Sequence, residues 1–321
     1  MDIIDIINNN TSRKLKKPLW KRIWEDYGGL LYMLPVLLGI LCFTVIPMFT
    51  SLNYAFHDYD PYAFDESQQL TNFGIQNFIK IFTPGKNGGE LEVVMYSLYV
   101  TFRFTILNVA LGLTGSYILA LFLNQKTKGI EAFRVIYYLP CLIPGVAGTL
   151  LWLNITRVNG GYLNLILQMI GLPKYTFYDA AETVLPTLLF ISIFTFGGNA
   201  IMWLAQMKNV PTELYESADL DGANYFHKLF HITIPQTTSM IFYLLIMSII
   251  GGLQAFGNVY PLVSVAGREV EFIGVKIYQK AYESGDLSMA CALSWFLFVI
   301  IGIFTAFIFK TSKWVYYGEE A

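Results

Sequence analysis

Two histidines lie four residues apart, His227 and His231, a spacing that can bring two imidazoles to one face of a helix around a metal ion. The residues between them are Lys-Leu-Phe, without the glutamate of an H-E-x-x-H metalloprotease, and no third ligand is evident. We therefore interpret both as packing or surface residues. The chain also has no G-x-x-x-x-G-K-[ST] phosphate loop and no G-x-S-x-G nucleophile elbow. The sequence predicts neither a metal site nor a catalytic centre, so the chain is not expected to be an enzyme.

The carboxylates of one segment, 209–235, are organised rather than scattered. Glu213, Glu216 and Asp219 recur every three residues and would form an acidic stripe on a short helix. Leu214 and Ala218, four residues apart, would share another face of that helix.

Start and stop signals bound this short helix. Asn209 can cap it, Pro211 suits its first turn, and Gly222 can take the left-handed position that ends it. Apolar residues then form a second patch before Pro235: Phe226, Leu229 and Phe230. Aromatic anchors beside polar groups are typical of protein interfaces. The segment therefore favours docking of a partner, with a well-capped connection as the alternative.

Polar and aromatic side chains also alternate where the chain is otherwise apolar. Gln254, Phe256, Asn258 and Tyr260 follow one another closely after the glycine pair 251–252. Amides that hydrogen-bond hydroxyls, together with rings that stack on C–H faces, suit a sugar. These four residues are candidates for a solute pathway, with Gln254 and Asn258 as the first two.

Three further candidates lie in other apolar stretches. Asn199 and Trp203 are weaker ones, because a polar side chain there can also join neighbouring helices by hydrogen bonds. Arg103 either faces a water-filled cavity, where it binds sugar hydroxyls or an acidic group, or extends toward the interface on the outer side of the bilayer.

The composition indicates a membrane protein. Of 321 residues, 55% are hydrophobic and 14% charged, against about 25% charged in soluble domains. The net charge of −2 provides no basic field for nucleic acid. A bilayer-spanning helix needs about 20 apolar residues, and six stretches qualify, at about 28–54, 93–123, 133–156, 184–207, 237–262 and 289–310.

The basic residues predict the orientation of these spans. Most of the 21 lysines and arginines fall before the first span, at the even-numbered connections or after the last span. The positive-inside rule then places both termini in the cytoplasm. We expect a cytoplasmic segment over 1–27, a membrane domain over 28–310 and a cytoplasmic tail over 311–321. The first span lacks a cleavage site and is expected to stay as an anchor.

Helix breakers interrupt several spans. Pro140 and Pro144 lie in the third span, and the glycine pair 251–252 lies in the fifth. Such breaks are tolerated in a membrane where protein or a water-filled cavity satisfies the freed backbone groups. They favour a solute pathway, with kinks in a packed bundle as the alternative.

The segment 209–235 also resembles a known motif. Glu216-Ser217-Ala218, three residues, Gly222, nine residues and Ile232-Thr233-Ile234-Pro235 resemble the EAA motif of binding-protein-dependent ABC transporter permeases. That motif reads E-A-A, three residues, G, nine residues, I-x-L-P. Ser217 replaces an alanine and Ile234 replaces a leucine, while the spacing is intact.

Other stretches are similar to the permeases of maltose and oligosaccharide importers. They are Asn72-Phe-Gly-Ile-Gln-Asn-Phe78, Tyr138-Leu-Pro140, Gly161-Tyr-Leu-Asn164 and Leu253-Gln-Ala-Phe256. The resemblance implies an all-α integral membrane protein of type I ABC importer permease architecture, with six transmembrane helices. It also implies a cytoplasmic coupling helix at about 212–221 that docks into an ATPase, with these contact residues: Glu213, Leu214, Tyr215, Glu216, Ser217, Ala218, Asp219 and Gly222.

The resemblance further implies the partners and the location. We expect a second related permease as heterodimer partner, two ATPase subunits that bind ATP and Mg²⁺, and an extracytoplasmic solute-binding protein. No cofactor is expected in this subunit. The complex would lie in a bacterial or archaeal cytoplasmic membrane and import a sugar or oligosaccharide. The alternatives are another polar solute, such as a glycerol phosphate ester, and a self-contained secondary carrier.

Overall fold

The computed structural model describes residues 32–60, 63, 70–125 and 127–315. Over these residues the fold is almost wholly helical, as predicted. Four of the described helices are long and apolar enough to cross a membrane, and the number rises to six if each of two bent helix pairs is one span. The basic residues of 13–22, Lys126 and the tail beyond residue 315 lie outside the described part.

The chain divides into two units, of which the first comprises residues 1–53. Its described part belongs to helix α1 (Tyr32–Ala55). Within α1, Leu41–Val45 forms one π-helical stretch.

The second unit begins with a small segment between the first two predicted spans. It contains a two-stranded antiparallel ladder of β1 (Asp58–Tyr59) and β2 (Leu70–Thr71), in which Asp58 pairs with Thr71. Helix α2 (Gln76–Phe82) and a 3-10 turn (Gly85–Asn87) follow. Asn77 is buried and donates to the carbonyls of Ala55 (3.3 Å) and His57 (3.0 Å), so one amide fixes the beginning of the second unit.

Three long helices form the centre of the second unit. Helix α3 (Leu91–Leu123) packs along α7 (Ala181–Lys208) and along α10 (Thr238–Leu253). Helix α13 (Leu287–Lys310) contributes a further buried face. Small residues allow the close approach, because a side chain on Gly252 would stand 2.6 Å from the Thr105 side chain of α3.

The third predicted span is two helices. Helix α4 (Ile130–Leu142) and helix α5 (Gly145–Thr156) meet at an angle of 102°, next to Pro140 and Pro144, as the two prolines predict. The short helix α6 (Tyr162–Met169) follows α5. Irregular backbone therefore lies at this point of the bundle.

The connection between α7 and α10 holds two helices, α8 (Thr212–Leu220) and α9 (Tyr225–Gln236). Helix α9 contains a π-helical stretch, Leu229–Thr233, and meets α10 at 64°. Pro235 is the second-last residue of α9, which ends at Gln236, one position after the predicted end of this segment.

The fifth span differs from its predicted range of 237–262, because the helix α10 ends at Leu253. Gly257 and Pro261, both poor helix formers, follow at once. Short elements replace the rest: the 3-10 turn Tyr260–Leu262, α11 (Val263–Ala266), the 3-10 turn Gly267–Val270, α12 (Ile273–Tyr278) and the π-helical Gln279–Glu283. After α13, Ser312–Trp314 form a last 3-10 turn.

Candidate functional site

The first candidate site is the segment that carries the motif, and its geometry starts at the turn between α8 and α9. Gly222 has a φ of +74°, the left-handed conformation that its place in the sequence predicts. The amide of Gly222 donates to the Asp219 carbonyl (3.1 Å), and that of Ala223 to the Ala218 carbonyl (2.8 Å). The turn therefore ends α8 and reverses the chain.

Asn224 caps the helix that follows. Its side-chain Oδ1 accepts a 2.8 Å hydrogen bond from the backbone amide of His227. The start of α8 is different: Pro211 occupies the cap position and no side chain caps it, so Asn209 does not serve as predicted. Pro211 thus stands one position before the first turn, in an extended conformation (ψ 131°), and not within that turn as predicted.

The two faces of α8 differ in exposure. Tyr215 and Ala218 are half-buried against the rest of the unit, whereas Glu213 and Glu216 are exposed. Leu220 is 91% exposed. The outward face thus combines two carboxylates with a solvent-exposed leucine, a mixture typical of a surface that binds another protein.

Asp219 belongs to a different set of contacts. Its carboxylate forms an ion pair with Lys228 of α9, so this member of the acidic stripe is engaged within the chain. His227 and His231 stack with ring centroids 4.1 Å apart. Among the described residues no group of three or more His, Cys, Asp or Glu side chains is placed to hold a metal ion.

The second candidate site is a pair of cavities between α3, α5, α7 and the end of α10. One, which we call the polar cavity, has a volume of about 230 Å³. Its neighbour, the aromatic cavity, has a volume of about 340 Å³. Five residues line both: Phe104, Asn108, Ser192, Thr195 and Asn258.

Amide and hydroxyl groups dominate the polar cavity. Asn199 and Asn258 line it, together with Ser248 and the backbone of the glycine pair 251–252. The Oδ1 atom of Asn108 is buried and has no hydrogen-bond partner among the described residues. A buried acceptor without a partner is unfavourable, so Asn108 Oδ1 is an acceptor still available for a hydrogen bond beside this cavity.

The aromatic cavity adds ring faces to this polar wall. Trp152 and Phe194 contact each other with centroids 4.8 Å apart, and Tyr178 completes the lining. Burial raises the pKa of the Tyr178 hydroxyl. The bend between α4 and α5 contributes Pro140 and Gly145 to the same wall, which connects the broken helix to the cavity.

Only some of the residues predicted to line the solute pathway lie at these two cavities. Asn199 and Asn258 meet in the polar cavity. Gln254 is exposed on the turn after α10 and lines neither cavity. The rings of Phe256 and Tyr260 pack together at 5.3 Å, beside Tyr278.

Trp203 and Arg103 also lie away from the cavities. Trp203 is 1% exposed, and its indole N–H donates to Ser116 Oγ (3.0 Å), so it belongs to the helix core. Arg103 is exposed, whereas Phe104, Asn108 and Gly112 form the cavity side of α3.

Sequence reasoning missed four polar lining residues: Asn108, Ser192, Thr195 and Ser248. A signal existed for Asn108, since an amide in the middle of an apolar span is unusual. The serines and the threonine gave no such signal in the sequence, because hydroxyl groups commonly donate hydrogen bonds to carbonyls of their own helix. Ser192 and Thr195 do so here.

Comparison with known proteins identifies the family. Residues 112–317 match the model of the binding-protein-dependent transport system inner membrane component. The probable ABC transporter permease protein YesP of Bacillus subtilis (strain 168) is 33% identical over 302 residues, covering 92% of this chain and 94% of that protein. The trehalose/maltose transport system permease protein MalF of Thermococcus litoralis is 25% identical, covering 96% and 99%.

A solved structure shows the same fold. A chain of a bacterial ABC transporter involved in the import of the acidic polysaccharide alginate aligns with a TM-score of 0.78 at 24% identity, over 92% of this chain and 99% of that one. The matched family range contains both candidate sites except the first part of α3. The chain therefore belongs to the binding-protein-dependent transport system inner membrane components, the multi-pass permease subunits of ABC importers, which are not themselves enzymes.

Proposed function

We propose that this permease forms half of the pathway for a saccharide, in a heterodimer with a second related permease. Two ATPase subunits bind ATP and Mg²⁺, and an extracytoplasmic binding protein delivers the solute. Both termini face the cytoplasm in this arrangement, because most of the basic residues then lie on the inner side.

The polar cavity carries the proposal for the solute class. Three amides, of Asn108, Asn199 and Asn258, line one small volume near the end of α10, and the rings of the aromatic cavity adjoin it. Sugar hydroxyls require paired donors and acceptors, and their C–H faces stack on rings. The name of the trehalose/maltose relative supports the same class.

The outward face of α8 supports the proposal for the ATPase. Glu213, Glu216 and Leu220 are exposed on a helix that Gly222 turns back toward the membrane domain. ATP binding can change the conformation of the permease only if this face binds the ATP-bound and the ATP-free ATPase with different affinities. Equal affinities would leave the conformational equilibrium of the permease unchanged.

The experiment compares two amide substitutions in the complete transporter. Proteoliposomes containing both permeases, the ATPase and the binding protein are assayed for ATP-dependent uptake of neutral oligosaccharides. We expect Asn258→Ala to raise the KM for uptake about tenfold, which corresponds to a loss of about 1.4 kcal/mol in the free energy of solute binding. Gln254→Ala is the control, since Gln254 lies outside both cavities.

Equal effects of the two substitutions would place the solute elsewhere. Uptake of glycerol phosphate esters but of no oligosaccharide would overturn the solute class. Uptake that needs no ATPase would overturn the assembly.

A further inference from the structure

Two tyrosines from separate helices converge on the junction between α9 and α10. The hydroxyl of Tyr215, on α8, lies 2.9 Å from Thr233 Oγ1. The hydroxyl of Tyr117, on α3, lies 3.4 Å from Thr237 Oγ1. We call these four residues the tyrosine–threonine clamp.

The direction of each hydrogen bond follows from the threonines. Thr233 Oγ1 donates to the Lys228 carbonyl (3.4 Å), and Thr237 Oγ1 donates to the Thr233 carbonyl (2.8 Å). A hydroxyl has one proton to donate. With the threonine protons directed to these carbonyls, each tyrosine hydroxyl is the donor, and each threonine joins a tyrosine to the backbone of α9.

The clamp spans the irregular part of this region. Thr233 ends the π-helical stretch of α9, and Thr237 stands at the 64° bend into α10. A π-helical turn has poorer backbone geometry than an α-helix, and sharp bends often form there. Since Thr237 is 0% exposed, its contacts are made without competition from water.

Both helices beyond the clamp are walls of the polar cavity. Helix α10 starts at Thr238 and reaches the cavity with Ser248 and the glycine pair 251–252. Its 16 residues span about 24 Å. Helix α3 carries Tyr117 and, further toward its start, the cavity residues Asn108 and Gly112. The clamp thus lies at one end of this helix pair, and the cavity lies at the far end of α10 and beside the middle of α3.

We propose that the tyrosine–threonine clamp transmits the movement of α8 to α3 and α10, and so sets how much transport each ATP hydrolysis produces. This inference rests on the proposed function, because it needs an ATPase that moves α8. The four side chains act as positioning residues: Tyr215 fixes α8 to the bend, and Tyr117 fixes the bend to α3. Without them the bend absorbs the movement and the cavity walls stay in place.

The test uses substitutions that remove one hydroxyl and keep the volume. Thr233→Val and Tyr215→Phe are compared with Thr233→Ser, which keeps the hydroxyl. The complete transporter in proteoliposomes is assayed for solute taken up per ATP hydrolysed. We expect this ratio to fall several-fold in Thr233→Val and Tyr215→Phe while ATP hydrolysis continues, and to stay near the wild-type ratio in Thr233→Ser.

The double variant Tyr215→Phe/Thr233→Val shows whether the two residues act through one shared hydrogen bond or independently of each other. If both residues act through one hydrogen bond, the ratio of the double variant falls no further than that of the more impaired single variant. Tyr117→Phe, which removes the hydrogen bond to Thr237, should lower the ratio as well, and it tests the clamp if Thr233→Val fails to assemble.

A wild-type ratio in both Tyr215→Phe and Thr233→Val overturns the inference, as does an equal fall in Thr233→Ser and Thr233→Val. These outcomes leave the proposed function intact, because they require a wild-type complex that takes up solute with ATP. A wild-type complex without ATP-dependent uptake would instead contradict the proposed function itself.

Discussion

The backbone φ angle of Gly222 determines how the chain turns at the end of α8. At a φ of +74°, Gly222 lets the chain fold back so that the amide of Ala223 reaches the Ala218 carbonyl. Residues with a Cβ atom adopt this conformation at a cost of about 1–2 kcal/mol. The residue with no side chain therefore determines where Glu216 and Leu220 are presented.

Substitution of Gly222 tests this role. In Gly222→Ala the turn relaxes away from the docking geometry, and binding of the ATPase must restore it, so we expect about a tenfold weaker affinity. Gly222→Asn is the matched control, because asparagine tolerates the left-handed region better and should lose less. The dissociation constant of the ATPase for the permease pair in nanodiscs measures both, and equal affinities of Gly222→Ala and wild type would contradict the prediction.

Residue types alone could predict part of the candidate site. The turn at Gly222 follows from its place in the motif, and the amides of Asn199 and Asn258 stand out because they interrupt apolar runs. The direction of a side chain is harder to predict. Gln254, Asn258 and Tyr260 were assigned to one helical span, but α10 ends at Leu253, and beyond that point helical periodicity no longer tells which residues share a face.

At the scale of the helices, two adjacent glycines have different surroundings. A Cβ atom on Gly252 would lie 2.6 Å from Thr105 Cγ2, whereas one on Gly251 would meet nothing within 4 Å. The pair was predicted to break the span, yet both residues lie inside α10. Gly252 serves the close contact of α10 with α3, and Gly251 leaves the polar cavity open.

This difference predicts opposite effects of the same substitution. Gly252→Ala forces α10 away from α3 and should lower the melting temperature of the purified permease pair. Gly251→Ala replaces glycine in a helix without a clash and should leave stability unchanged or raise it by up to about 1 kcal/mol. Thermal unfolding in one detergent compares them. A lower melting temperature for Gly251→Ala than for Gly252→Ala would refute the packing argument.

At the scale of the whole molecule, the proposed orientation rests on the charged residues. Lys208 and Lys228 flank α8 on the side assigned to the cytoplasm, and Lys310 ends α13 on that side. Composition and length predict six apolar spans, because the hydrocarbon core imposes both; the described residues contain four, or six if each bent helix pair is one span. The bend angles of 102° and 64° could not be predicted, since neighbouring helices set them.

Labelling of single cysteines tests the orientation. In a background with Cys42, Cys141 and Cys291 replaced by alanine, Ser217→Cys and Ser284→Cys each place one thiol at an exposed position. We expect a membrane-impermeant maleimide to label Ser284→Cys in intact cells and Ser217→Cys only after the membrane is opened. Labelling of both from the outside would reverse or refute the assigned topology.

The length of α3 has a consequence for the lipid around the protein. Its 33 residues extend about 50 Å, whereas the hydrocarbon core of a bilayer is about 30 Å thick. A helix of this length tilts or projects beyond the hydrocarbon at its ends. Because α3 carries both Asn108 and Tyr117, the distance along it between the cavity and the clamp is fixed. The tilt that fits this helix to the membrane is therefore set partly by acyl-chain length, which makes bilayer thickness a determinant of the transporter's resting geometry.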